Sequence, residues 1–267
     1  MRRIGLMMAV LGFVAAGQAQ AAVKTEPVEY RAPDGTVLEG YLAYDDAIQG
    51  KRPGILVVHE WMGLGDYAKR RARQLAALGY VALAADMYGK GVYAKDHEEA
   101  AKLSGALRSD RSQMRGRIRA ALDVLTRSPR VDAEQLGAIG YCFGGMAALE
   151  LARSGADVDA VVTFHSPLAT TAPAQVGAIK GKILVCHGAD DPNVPQEQVK
   201  AFEREMQQAG ADFRIIQYPN AVHSFTVSEA GNDPSKGVAY NAAADRNSWE
   251  AMVEFFNRVF ARPASSA

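Results

Sequence analysis

A cysteine set among glycines is the most reactive feature of the chain. In Gly140-Tyr141-Cys142-Phe143-Gly144-Gly145 a β-like run stops at Cys142 and a small-residue helix follows, which is the strand-turn-helix setting of a nucleophile elbow. A nucleophile there sits on a strained corner, and the glycines two positions away let that corner close against sheet and helix. At the start of a helix, Cys142 meets the positive end of the helix dipole, which favours a thiolate, and the N–H of Phe143 points where an oxyanion would form. An acidic loop, Asp190-Asp191-Pro192-Asn193-Val194-Pro195, opens at the end of an apolar run. Either aspartate could orient a histidine, the other being turn chemistry. His223, just beyond the next β-rich run, would be the base. Nucleophile, acid and histidine follow the chain order of an α/β-hydrolase, each just after a strand. A fourth piece, His59-Glu60-Trp61-Met62-Gly63, follows the first central strand. There the Trp61 N–H is the candidate second oxyanion donor, and Glu60 brings a carboxylate to the same crevice.

Such positions need a covered parallel sheet beneath them. Short runs at 55–58, 81–84, 138–141, 160–164, 183–186 and 214–218 are mostly apolar on both faces, as strands inside such a sheet must be. A β-hairpin over 28–44, turning at Pro33-Asp34-Gly35, precedes them. Helical stripes lie between and after: Met114, Ile118, Ala121, Leu122 and Leu125; Val199, Phe202 and Met206; then Trp249, Met252, Val253, Phe256, Val259 and Phe260. These stripes read as core rather than as a cofactor box. The alternation predicts an α/β fold with a doubly wound, mostly parallel sheet behind a β-hairpin, in a single domain over 22–267 that ends in a loose tail from Arg262.

Composition narrows the function further. The 267 residues carry 30 Lys+Arg against 30 Asp+Glu, with 48% hydrophobic residues, so the chain lacks the basic field that nucleic-acid binding needs. Two cysteines cannot build a disulfide scaffold, and Cys186, at the end of an apolar run, reads as inert packing. Arg2 and Arg3, an apolar run over 4–16 and Ala19-Gln20-Ala21 read as a signal peptide over 1–21. The expected location is therefore periplasmic or secreted. No interior run approaches the ~20 apolar residues of a membrane span, so no membrane association is expected after cleavage.

Taken together, the elbow, the HEWMG segment, the DDPNVP loop and the His223-Ser224-Phe225 segment resemble the dienelactone hydrolase family through nearly the whole chain after the leader. The resemblance implies an α/β-hydrolase fold and a Cys-His-Asp triad. It implies carboxylic ester hydrolysis of the carboxymethylenebutenolidase type on small esters and lactones, with no metal or organic cofactor. It carries the nucleophile onto Cys142, the histidine onto His223 and the aspartate onto Asp191, because Pro195 matches the family's loop. The carboxylate that contacts the resting thiol falls on Glu60. The family's two substrate-gripping arginines are not matched: Lys90 stands at the first position and Val227 at the second. Lysine keeps the charge without the bidentate fork. Lys90, Tyr88, Tyr93 and His165 are the expected substrate-binding residues, beside Phe143 and Trp61. A monomer is expected. The competing classes are an exported redox-active thiol protein and a non-catalytic ligand-binding protein on the same scaffold.

Overall fold

The computed structural model describes residues 23–261; the expected signal peptide over 1–21 and the tail from 262 lie outside the described residues. The chain opens with the expected hairpin, strands β1 (Val23–Arg31) and β2 (Val37–Asp45) paired antiparallel along their whole length. Gly35, at φ +84°, makes the turn, a backbone region that glycine enters without strain. Six further strands follow: β3 (Arg52–Val58), β4 (Val81–Ala85), β5 (Val131–Tyr141), β6 (Ala160–Phe164), β7 (Lys182–Gly188) and β8 (Phe213–Tyr218). All join one eight-stranded sheet in the order β1-β2-β4-β3-β5-β6-β7-β8. From β4 onward across the sheet every pair is parallel, while β2 meets β4 antiparallel.

Alternate residues of the inner strands feed two cores. Leu56, Val58, Ala138, Val161 and Val185 pack on one face against α3 (Arg111–Thr126), α4 (Phe143–Arg153) and α5 (Gln196–Ala209). Ile55, Val57, Ile139, Val162 and Leu184 pack on the other against α1 (Asp66–Ala77) and α6 (Ala242–Val259). The period-2 pleat splits one continuous apolar run into two buried faces, which is why such strands show no polar alternation. The helix α2 (His97–Ser109), capped by the Asp96 carboxylate, lies in the connection between β4 and β5. Loops at the carboxyl ends of β3, β5, β7 and β8 therefore converge, as the doubly wound arrangement requires.

Candidate active site

Cys142 sits between β5 and α4 at φ +50°, ψ −118°, a conformation that a residue with a side chain holds only when its surroundings enforce it. Two glycines make the enforcement possible. A Cβ on Gly140 would lie 2.1 Å from the Gly144 carbonyl oxygen, and one on Gly144 would lie 2.2 Å from that of Val58. Strand, elbow and helix thus touch backbone to backbone. Phe143 opens α4, so its N–H is among the first-turn donors that a helix leaves unpaired.

The acid and the base arrive from the ends of β7 and β8, beyond β6 in the sheet. His223 Nε2 lies 3.1 Å from Cys142 Sγ, and its Nδ1 lies 2.8 Å from Asp191 Oδ2. Asp191 is fixed in turn by the backbone N–H of Asn193 at 2.8 Å on its other oxygen. Asp190 is exposed on the same loop, so of the two carboxylates it is Asp191, the one the family resemblance implies, that meets the histidine. Burial opposes charge on His223, but the hydrogen bonds and charges of Asp191 and Cys142 outweigh it and raise its pKa to about 10. The imidazole can hold a proton between sulfur and carboxylate, which is what an acid-base shuttle for a sulfur nucleophile needs.

Glu60 flanks the pair. Ser224, the residue after the histidine, lies with its hydroxyl 3.5 Å from Glu60 Oε1. Burial raises Glu60 to about 7, against the lowering pull of the His223 charge and the Ser224 hydroxyl. A cleft of about 1470 Å³ opens over this group, with Trp61, Tyr93, Arg108 and Asn193 in its walls.

Not every expected site residue reaches the cleft. Tyr93 does, and is exposed. Tyr88 does not: it is buried, its hydroxyl donating to the Trp61 carbonyl at 2.8 Å, so it supports the Trp61 loop from behind. His165 is fully buried, ring against ring with His223 at 5.3 Å, and its Nε2 meets the Thr226 hydroxyl at 2.7 Å. It backs the histidine instead of facing substrate. Lys90 is turned to the hairpin, where Glu29 (2.7 Å) and Glu39 (3.0 Å) hold its ammonium. The strand pairing that brings β2 beside β4 delivers those two carboxylates, and nothing near Lys90 in the chain announces them.

Two residues escaped the sequence reading. His59 accepts from the Met87 N–H at Nε2, so its Nδ1 must be the protonated nitrogen that meets the Glu60 carbonyl. It is neutral by geometry, and burial pushes its pKa down in agreement. Arg108, in the last turn of α2, lines the cleft. Its position in the sequence carries no signal, because only the fold of the connection after β4 turns that end of α2 toward Cys142.

An elbow-borne cysteine after β5, an aspartate after β7 and a histidine after β8 of a doubly wound sheet define an α/β-hydrolase. The model of the dienelactone hydrolase family matches residues 38–260, and the chain belongs to that family. It is 26% identical, over 90% of its own length and 94% of the relative's, to a Salmonella typhimurium protein provisionally named a carboxymethylenebutenolidase. A solved structure named m3DLH is 44% identical with a TM-score of 0.85. Another, a dienelactone hydrolase-like promiscuous phosphotriesterase from metagenomic libraries, is 42% identical with a TM-score of 0.84; each covers 90% of this chain and 100% of its own.

Proposed function

We propose that the protein hydrolyses small carboxylic esters or lactones through an acyl-enzyme on Cys142. The observation that carries this is the continuous line of contact from Cys142 Sγ through His223 to Asp191, at 3.1 and 2.8 Å. Cys142 Sγ attacks the carbonyl carbon with its proton on His223 Nε2. The carbonyl electron pair moves to oxygen, which the N–H groups of Phe143 and Trp61 hold. Collapse breaks the ester C–O bond, and the leaving alkoxide takes the proton from His223. A water then gives its proton to His223 and its hydroxide to the thioester carbon, and the sulfur leaves. Asp191 keeps the ring in the orientation and tautomer that both halves require.

The test is hydrolysis of phenyl acetate by wild type, Cys142→Ala and His223→Gln, with intact-mass spectrometry of quenched wild type. Loss of turnover in both variants and a transient acyl adduct on wild type support the reading. Full activity in Cys142→Ala overturns it.

The relative named as a promiscuous phosphotriesterase supports a second activity at the same sulfur. Attack on phosphorus of a diethyl aryl phosphate would release the phenolate and leave a phosphorylated Cys142 for water to clear. The redox alternative draws less support, since Cys186 packs in the core on the opposite face of the sheet from Cys142 and so is poorly placed as a resolving thiol. The leader over 1–21 supports export, which fractionation of expressing cells tests directly.

A further inference from the structure

The arginines around the α3–α4 face are nearly all spoken for. Arg111 and Arg115 face Glu150, Arg117 faces Asp34, and Arg153 faces Glu205. Arg108 differs in having no carboxylate: its Nε is buried without a hydrogen-bond partner, as is that of Arg111, but Arg111 has Glu150 beside it, whereas among the described residues Arg108 has neither ion pair nor hydrogen bond. Its side chain is half-buried and lines the same cleft as Cys142, Trp61 and His223. Burial raises the neighbouring Tyr88 phenol, and the Arg108 charge works against that rise while Cys142 adds to it, so one ring senses both the guanidinium and the nucleophile. Of the cleft's acidic residues Glu60, Asp66 and Glu229, the last is engaged by Arg70 at 3.2 Å, and among the described residues none forms an ion pair with Arg108.

A guanidinium with a buried nitrogen that no protein group accepts from is costly, and it becomes satisfied when an anion docks on its fork. The family's two gripping positions supply no such group here, Lys90 being held by Glu29 and Glu39 and the other position being Val227. We propose that Arg108 is the specificity-determining anchor of this site, selecting esters and lactones whose acyl portion carries a carboxylate. The guanidinium binds that carboxylate in bidentate fashion from the end of α2 while the carbonyl lies over Cys142. This rests on the reading of the cleft as an ester-hydrolysing site.

The experiment compares two matched sets of substrates, the monophenyl esters of succinate, glutarate and adipate and the phenyl esters of butyrate, pentanoate and hexanoate. The readout is the ratio of kcat/KM for the anionic over the neutral ester of each chain length. For Arg108→Gln the best ratio is expected to fall about ten- to a hundredfold, the range for losing a charged hydrogen-bonded pair. For Arg108→Lys a smaller fall is expected, since charge remains and the fork is lost. An unchanged ratio in Arg108→Gln, or equal loss on both sets, overturns the proposal. If Arg108→Gln does not fold, as judged by its melting temperature, Arg108→Lys decides alone: a ratio equal to wild type overturns the anchor.

A second measurement does not depend on hydrolysis. Calorimetric binding of the monoanilides of the same diacids to Cys142→Ala is compared with the Cys142→Ala/Arg108→Gln pair. Weaker binding by about tenfold or more in the double variant supports the anchor, and equal binding refutes it. Wild type that cleaves none of the six esters removes the hydrolase reading, whereas the monoanilides still decide Arg108.

Discussion

The Tyr88 hydroxyl donates to the Trp61 carbonyl at 2.8 Å, and the Tyr88 ring packs edge-on against His59 at 4.9 Å and beside Phe143 at 5.5 Å. The loop after β4 therefore braces both segments, at Trp61 and Phe143, that carry the proposed oxyanion donors. Asp86 stiffens the brace by accepting from the N–H groups of Tyr88 and Gly89 with one oxygen and from that of Glu39 with the other. Preorganised donors stabilise a developing charge without reorganising at the moment of reaction, so rigidity behind them bears on rate.

Tyr88→Phe keeps the ring and removes the hydroxyl. It is expected to cost about 1 kcal/mol in chemical denaturation, the usual net worth of a buried hydrogen bond. A fall in kcat with little change in KM is expected alongside. Unchanged kcat would show that the brace does not reach the donors.

Asp191→Asn removes the charge that holds His223 protonated. Wild-type His223 should titrate near pH 10 by NMR of its ring protons, and the variant should titrate markedly lower. The sign for stability follows: a raised folded pKa contributes stability that is fully present below the unfolded value of about 6.5 and is lost as pH rises through 10. Turnover of phenyl acetate is expected to fall about a thousand- to ten-thousandfold, as when a triad histidine loses its orienting carboxylate. A fall of less than tenfold would reassign the acid.

Glu60 is held neutral by burial up to about pH 7. Its folded pKa is raised, so the protein loses stability as pH climbs from the unfolded carboxyl value of about 4.3 through 7. Glu60→Gln, which cannot ionise, is expected to match wild type in melting temperature at pH 4 and to exceed it at pH 8. Parallel melting curves at every pH would contradict the assignment.

Thr226→Val tests the support behind the histidine. Arg71 Nε donates to the Tyr67 hydroxyl at 3.3 Å, so the relay runs on from Tyr67 to the Thr226 hydroxyl at 2.6 Å and from there to His165 Nε2. Valine leaves His165 Nε2 without a partner, its Nδ1 being unpaired already, and takes from the Tyr67 hydroxyl its acceptor while Arg71 still donates to it. A loss of about 1–3 kcal/mol is expected in urea unfolding, with lower kcat because His165 backs the His223 ring.

Gly144→Ala would press its methyl into the Val58 carbonyl. It is expected to destabilise the protein by about 3 kcal/mol or more and to abolish activity, since the elbow cannot stay closed. A variant that melts and turns over like wild type would disprove the close approach.

The inner strands were legible because burial on both faces forces an unbroken apolar run, and all six expected runs lie in strands, five of them within three residues of their expected ends and β5 starting at Val131 instead of 138. The helices α1 and α2 were not singled out. The first buries mainly Ala68, Ala72, Leu75 and Ala76 among charged residues that include a buried Arg71, and the second buries only Ala100, Ser104 and Leu107. Small residues suffice there because the helices lie close to the sheet or the neighbouring loops, but they leave a faint stripe.

By itself the sequence determined the fold class and pointed to Cys142, His223 and, through the family resemblance, Asp191, because each position asks for a residue type at a strand end that few other sequences supply. Tertiary structure alone decided what those residues meet. It turned Lys90 onto Glu29 and Glu39. It also drew Tyr88 and His165 behind the site and brought Arg108 to its wall. The reason is physical: composition and periodicity report which residues leave water, whereas the direction of a polar side chain depends on partners that only sheet pairing and helix packing bring within hydrogen-bond reach.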